Sequence, residues 1–238
     1  MKQIITLGFV LASAACVQAQ GTIEVYSTAS ATSVYTNTAL STYDGGTGLG
    51  GTSSKAALTP SGVTTPYYYY ALLAESYSST LTGTPSINQL AAMTPVITGI
   101  TNYGLAGGLG GPGHAVGFST PNGTWGAPVN SYTDGTEDSY VLVGWSSNEG
   151  TSWSTVLSEL QNESWPVAGS FGDTVFGYGY SGGGLNGLPA PSIFGVTTAE
   201  PGGLSAGPTL YTVVPEPTTL ALSALGGLSL LAFRRKKA

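Results

Sequence analysis

The chain has 238 residues, with only six Lys or Arg against twelve Asp or Glu, and it is unusually rich in Gly, with 36. Charged residues make up 8% of it, where about 25% is usual for a soluble domain. So few cations exclude the basic surface that a nucleic-acid binder needs, and 41% hydrophobic with 10% aromatic residues exclude charge-driven disorder.

Residues 1–19 read as a secretory signal. Lys2 supplies the positive start, and Ile4, Ile5, Leu7, Phe9, Val10 and Leu11 supply a short apolar stretch. Val17 and Ala19 place small residues at the −3 and −1 positions, so signal peptidase cleavage is expected after Ala19. Cys16, the single cysteine, precedes that cut, and Ser13 stands where a lipobox wants Leu. The exported body then has no thiol nucleophile and no disulfide.

Residues 20–214 are long enough for one domain with its own core. Gly, Pro, Asn and Asp punctuate short β-prone stretches. Ile23 and Val25 alternate with polar neighbours over 22–26, and 67–74 is aromatic or aliphatic on both faces. A clean strand runs over 140–145, with shorter candidates at 174–178, 193–197 and 209–214. One helix is signalled by Trp153, Val156, Leu157 and Leu160 at i, i+3, i+4 and i+7, with Thr151 or Ser152 to cap it. A weaker helical patch covers 86–93. The expected architecture is mainly β, a β-sandwich or jelly-roll-like body with one short helix over an opening between the sheet layers.

Catalytic patterns in this body lack partners. Gly179-Tyr180-Ser181-Gly182-Gly183 fits G-x-S-x-G, but that hydrolase needs its His after the Ser, and the single His is His114. Gly108-Leu109-Gly110-Gly111-Pro112-Gly113 fits G-x-G-x-x-G, yet no strand–helix context surrounds it. His114 has no second imidazole or thiol to complete a zinc site. Asp134, Glu137 and Asp138 form the densest acidic cluster, a calcium candidate or a solvated turn before the next strand. Glu149, Glu159 and Glu163 have the chemistry of a glycosidase pair, but sequence gives them no mutual distance. Trp125, Tyr68 and Tyr70 are candidates for stacking on sugars, against plain core packing. No catalytic residue, metal or cofactor is expected.

The C-terminal end is organised in three parts. Pro215, Glu216 and Pro217 come first. An uncharged, mostly apolar run then opens at Thr218 and closes at Phe233, and Arg234, Arg235, Lys236 and Lys237 follow. As a helix that run would rise about 24 Å, short of a ~30 Å hydrocarbon core, with the basic tail held on the cytoplasmic side. The two prolines keep the approach extended, so the helix can begin only after Pro217. This order of elements resembles the PEP-CTERM sorting signal. The resemblance implies recognition at Pro215, Glu216 and Pro217 by exosortase, a membrane-embedded protease or transpeptidase, with the inner membrane as a transient anchor.

The body also resembles Gly-rich exported PEP-CTERM proteins of the verrucomicrobial type. The resemblance rests on Gln20-Gly21-Thr22, on the aromatic strand from Tyr70 to Leu73, and on a Val-rich strand ending at Trp145 before a capped helix and Gly169-Ser170. Where those proteins carry Arg shortly before the Trp, this chain has Gly144.

Together these features predict a non-enzymatic, structural or adhesive protein, exported as a membrane-anchored precursor and then placed at the cell surface, outer membrane or extracellular matrix. The alternative is a secreted carbohydrate-binding β-sandwich module with extracellular polysaccharide as partner. Without its two ends the body holds Lys55 against eleven carboxylates, a net charge near −10, which repels polyanions.

Overall fold

The structure, a computed structural model, describes residues 20–23, 25, 34–41, 53–56, 66–101, 127–133, 135–165, 169–181, 192–196 and 201–213. In chain order its elements begin with strands β1 (Gln20–Ile23), β2 (Tyr35–Ser41), β3 (Ser53–Lys55) and β4 (Tyr68–Ser76). Helix α1 (Ile87–Ala92), β5 (Thr94–Thr101), β6 (Ala127–Thr133) and β7 (Glu137–Ser146) follow. A 3-10 turn (Ser147–Glu149) leads to helix α2 (Trp153–Gln161), then β8 (Ser170–Asp173), β9 (Gly177–Tyr180) and β10 (Thr209–Val213).

The chain is mainly β. Eight strands form one sheet in the order β3-β2-β10-β8-β7-β4-β5, with β9 also on β7, and β1 pairs with β6 as a separate ribbon. β4 and β7 are its spine. They pair antiparallel without a register break, from Tyr68 opposite Ser146 to Ser76 opposite Asp138. Their aromatic, aliphatic and β-branched residues suit a pleated surface buried on both faces.

Two apolar clusters lie on the two faces of this spine. On one, Leu73, Val141, Val143 and Trp145 meet Leu90 of α1 and Val156 of α2. On the other, Tyr70, Leu72, Tyr140 and Leu142 meet Ile193 and Leu204 from chain that only touches the sheet through isolated bridges. Among the described residues, the cover on the first face is therefore helical rather than a second sheet. α2 lies on that face, not over an opening. Its Trp153, Val156 and Leu160 form one stripe. The Trp153 ring packs 6.1 Å from Trp145 and 6.2 Å from Phe171, and Trp165 meets Phe171 edge-on at 6.0 Å. The Trp145 indole N–H donates to the Gly150 carbonyl at 2.9 Å, tying the turn to the strand.

Capping differs between the helices. α1 starts with a reciprocal box: the Gln89 N–H donates to Ser86 Oγ at 3.3 Å, and the Ser86 N–H donates to Gln89 Oε1 at 2.9 Å. Ser152 holds the cap position of α2, but its hydroxyl bonds Ser154 Oγ at 2.6 Å and makes no cap bond.

The stretch expected as one strand over 174–178 is interrupted. Val143 faces Asp173 while Tyr140 faces Gly177, so three steps on β7 span four on its partner. Thr174 fills this bulge. Its N–H donates to the Leu142 carbonyl at 3.0 Å, and its Oγ1 accepts from the Leu142 N–H at 3.1 Å. Of the stretch 193–197, the described residues 193–196 form no strand, and Phe194 makes a bridge to Leu204.

Tyrosine and glycine alternate across strands as matched pairs. Tyr70 lies opposite Gly144, Tyr140 opposite Gly177, and Tyr178 opposite Gly202. A Cβ on Gly144 would fall 2.6 Å from Tyr70 Cδ1, and one on Gly177 would fall 2.6 Å from Tyr140 Cε2. One on Gly202 would strike the Tyr178 ring. Each ring thus lies flat on the bare backbone of its partner and fills the space of the missing side chain.

Gly144→Ala should therefore lower stability by about 1–3 kcal/mol through overpacking of a buried ring. A thermal melt by circular dichroism checks this. An unchanged melting temperature would show that the Tyr70 ring is not seated on the glycine.

Candidate functional site

The structure redistributes the aromatic candidates. Tyr70 is fully buried, its hydroxyl has no partner, and burial followed by the nearby Tyr68 phenol raises its pKa. It cannot stack on a sugar. Tyr68 is half-buried against the same cluster. Trp125 lies outside the described residues, and Trp145, Trp153 and Trp165 are all interior.

A different aromatic surface stands at the end of the sheet. β9 reads Gly177-Tyr178-Gly179-Tyr180, and strand alternation sends both tyrosines to the helix-bearing face. Tyr180 is opposite Glu137 and Tyr178 opposite Ser139. On the other side of β7, Glu75 is opposite Ser139, and the Tyr77 N–H donates to the Glu137 carbonyl at 3.3 Å. Ser139 is small and buried, so the Tyr77 and Tyr178 rings close above it with centroids 5.0 Å apart. Tyr77 is 38% exposed and Tyr180 39%.

The second feature is where the sheet ends. β10 runs parallel to β2 on one side and antiparallel to β8 on the other, which makes it an interior strand. Its last residue, Val213, is buried, and its N–H donates to the Gly169 carbonyl at 3.0 Å. Two positions later comes Pro215. Compared with known protein families, residues 213–236 match the family described as the PEP-CTERM protein-sorting motif. The chain carries a PEP-CTERM sorting motif. It is thus an exosortase-sorted, exported protein with a membrane-anchored precursor. No curated protein and no solved structure matches the chain.

The sorting motif overlaps the described structure only at Val213. Pro215, Glu216, Pro217, the apolar run from Thr218 to Phe233, the tail from Arg234 to Lys237 and the cleavage position Ala19 lie outside the described residues. Among the described residues no helix is long and apolar enough to cross a membrane.

Acidic groups form the third feature. Of the calcium candidates, Asp134 is outside the described residues. Glu137 and Asp138 are consecutive on β7, so their side chains leave opposite faces and do not converge on one ion. Among the described residues no three His, Cys, Asp or Glu group to hold a metal. Asp138 instead turns inward. It is 0% exposed, neither carboxylate oxygen has a hydrogen-bond partner, and burial, then the Glu137 charge, pushes its pKa up to about 7.

Glu149 closes the 3-10 turn at 2% exposed, with both oxygens unpaired. Burial, then the charge of Glu159 on α2, pushes it up to about 7, and burial also raises Glu159. A Cβ at Gly169 would strike both Glu149 Oε1 and the unpaired Trp165 Nε1, so these two atoms share the space over that glycine. Glu163 is exposed beyond α2. Two of the three glutamates are therefore brought together, Glu149 buried and Glu159 half-buried.

No Lys or Arg occurs between Lys55 and Arg234. Lys55 ends the edge strand β3, four strand spacings from β7, about 19 Å away. Without a counter-cation the buried carboxylates are held neutral by protonation. Their folded pKa lies above the unfolded one, so the folded state binds more protons. Stability should be fullest below about pH 4 and fall as pH rises through 7, by about 3 kcal/mol for each group. Melting temperatures of the full chain across that range check the trend, and Glu149→Gln with Asp138→Asn should flatten it. A melting temperature that rises with pH would contradict the assignment.

Proposed function

We propose that the body of this PEP-CTERM protein is a non-enzymatic structural or adhesive component of the cell surface or extracellular matrix, exported through its N-terminal signal and released from its C-terminal anchor. One observation carries this reading: the sorting motif begins at the last residue of an interior strand. The last described strand, β10, ends two residues before Pro215, so a cut at the motif falls outside the strand.

The non-enzymatic part is supported by how the catalytic patterns are used. Ser181 of the G-x-S-x-G stretch is 1% exposed and follows β9, with its N–H donating to the Thr136 carbonyl at 3.1 Å and its own carbonyl accepting from Gly135 at 2.8 Å. It closes a turn. Of the Glu149–Glu159 pair, Glu149 is buried in the turn before α2.

A second reading, a carbohydrate-binding module in the same location, is favoured by the exposed tyrosines beside Glu137.

Replacing Pro215 and Glu216 together by Ala should leave the uncleaved precursor in the membrane fraction. Fractionation followed by immunoblotting checks this. Normal processing of that variant would remove the sorting reading, because Glu216 is the one charged residue between Glu200 and Arg234 and the two prolines frame it.

A further inference from the structure

The tyrosine surface has an order that packing alone does not require. Across the sheet end, one row runs Tyr77, Glu137, Tyr180, and the row behind it runs Glu75, Ser139, Tyr178. Ser139 is the low point: its Oγ accepts from the Ser78 N–H at 3.3 Å, and two rings close over it at a 47° tilt. Tyr178 is supported from the far side by Gly202, whose missing side chain leaves room for the ring. The inner ring is thus fixed, and the outer Tyr77 and Tyr180 stand in solvent beside carboxylates.

This combination selects a ligand chemistry. Polyanions are repelled, because Glu75 and Glu137 lie in the surface and no Lys or Arg occurs between Lys55 and Arg234. Aliphatic protein knobs would leave the carboxylates desolvated and unpaired, which is costly. A neutral pyranose chain satisfies both parts. Its C–H faces lie on the tyrosine rings, and its hydroxyls donate to the Glu75 and Glu137 carboxylates in charge-assisted bonds. Tyr77 and Tyr180 flank Glu137 across two strand spacings, about 9.6 Å, so two units of one polymer meet two rings.

We propose that Tyr77, Tyr178 and Tyr180, with Glu75 and Glu137, form a binding platform for a neutral, hydroxyl-rich polysaccharide. This rests on the second reading above, that the exported body binds carbohydrate, and assigns it a site.

The test is native electrophoresis of the full chain in mild detergent, in gels cast with mixed-linkage β-glucan, galactomannan or the anionic polymer alginate. The platform predicts retardation by at least one of the two neutral polymers and none by alginate. Tyr77→Ala with Tyr180→Ala should weaken retardation about tenfold or more, as loss of central aromatic anchors does. Tyr77→Phe should keep it, since the ring face remains. Both tyrosines are well exposed, and a thermal melt confirms that the double variant is folded.

Failure of both neutral polymers to retard the unaltered chain overturns the carbohydrate reading and the platform with it. Retardation that survives in the folded double variant overturns the platform alone. A concentration-dependent dimer that the double variant abolishes, with no glycan effect, makes the face a contact between copies and also overturns it.

Discussion

The antiparallel pairing of β4 with β7 fixes what every other element has to do. Both strands are buried on both faces, so each face needs a cover. On one side α1 and α2 provide it, with Trp145, Trp153 and Phe171 as the largest contacts. On the other side, loop-borne Ile193 and Leu204 reach in, and the Tyr70 and Tyr140 rings lie over Gly144 and Gly177. The high content of glycine is thereby given a use at several positions. It is the partner that lets a large ring lie flat inside a sheet.

A second constraint is chemical. A body with Lys55 as its sole Lys or Arg before the tail has no cation to place beside an inward carboxylate. Asp138 and Glu149 are both inward and both unpaired. Ionising either of these interior carboxylates therefore costs stability. A body with that balance repels polyanions. The surface at the end of β9 sets partly exposed tyrosine rings beside Glu137.

Much of this was legible in the residues, and the exceptions have physical reasons. The spine strands and α2 are readable because tertiary burial follows their own apolar pattern: 140–145 falls within β7, and the Trp153, Val156, Leu160 stripe is the buried side of α2. β2 and β3 carry little apolar alternation. They are joined by polar bonds, such as Asn37 Nδ2 to Ser53 Oγ at 2.9 Å and Thr36 Oγ1 with Ser54 Oγ at 3.2 Å, which leave no hydrophobic period. β5 contains Pro95, which reads against a strand but is tolerated on the outer member of this sheet. In the run from Tyr67 to Tyr70, alternation shows that two faces are aromatic. Only the partner strand decides that Tyr70 is the innermost, because only there does Gly144 stand opposite. The exposed tyrosines come from two distant segments. Their one local signal is the Gly-Tyr-Gly-Tyr alternation of β9, which already places both rings on one face.

The sorting motif and the fold meet at Val213, and that junction ties architecture to fate. β10 is held by strands on both sides, so the folded sheet reaches to within two residues of Pro215. The claim at the centre of this account is that processing takes the tail and leaves the sheet complete. The intact mass of the exported product measures this directly. The account predicts a C-terminus after Val213 and before Thr218, on a product that melts cooperatively. A product that retains Arg234 to Lys237, or one cut within β10, would contradict it.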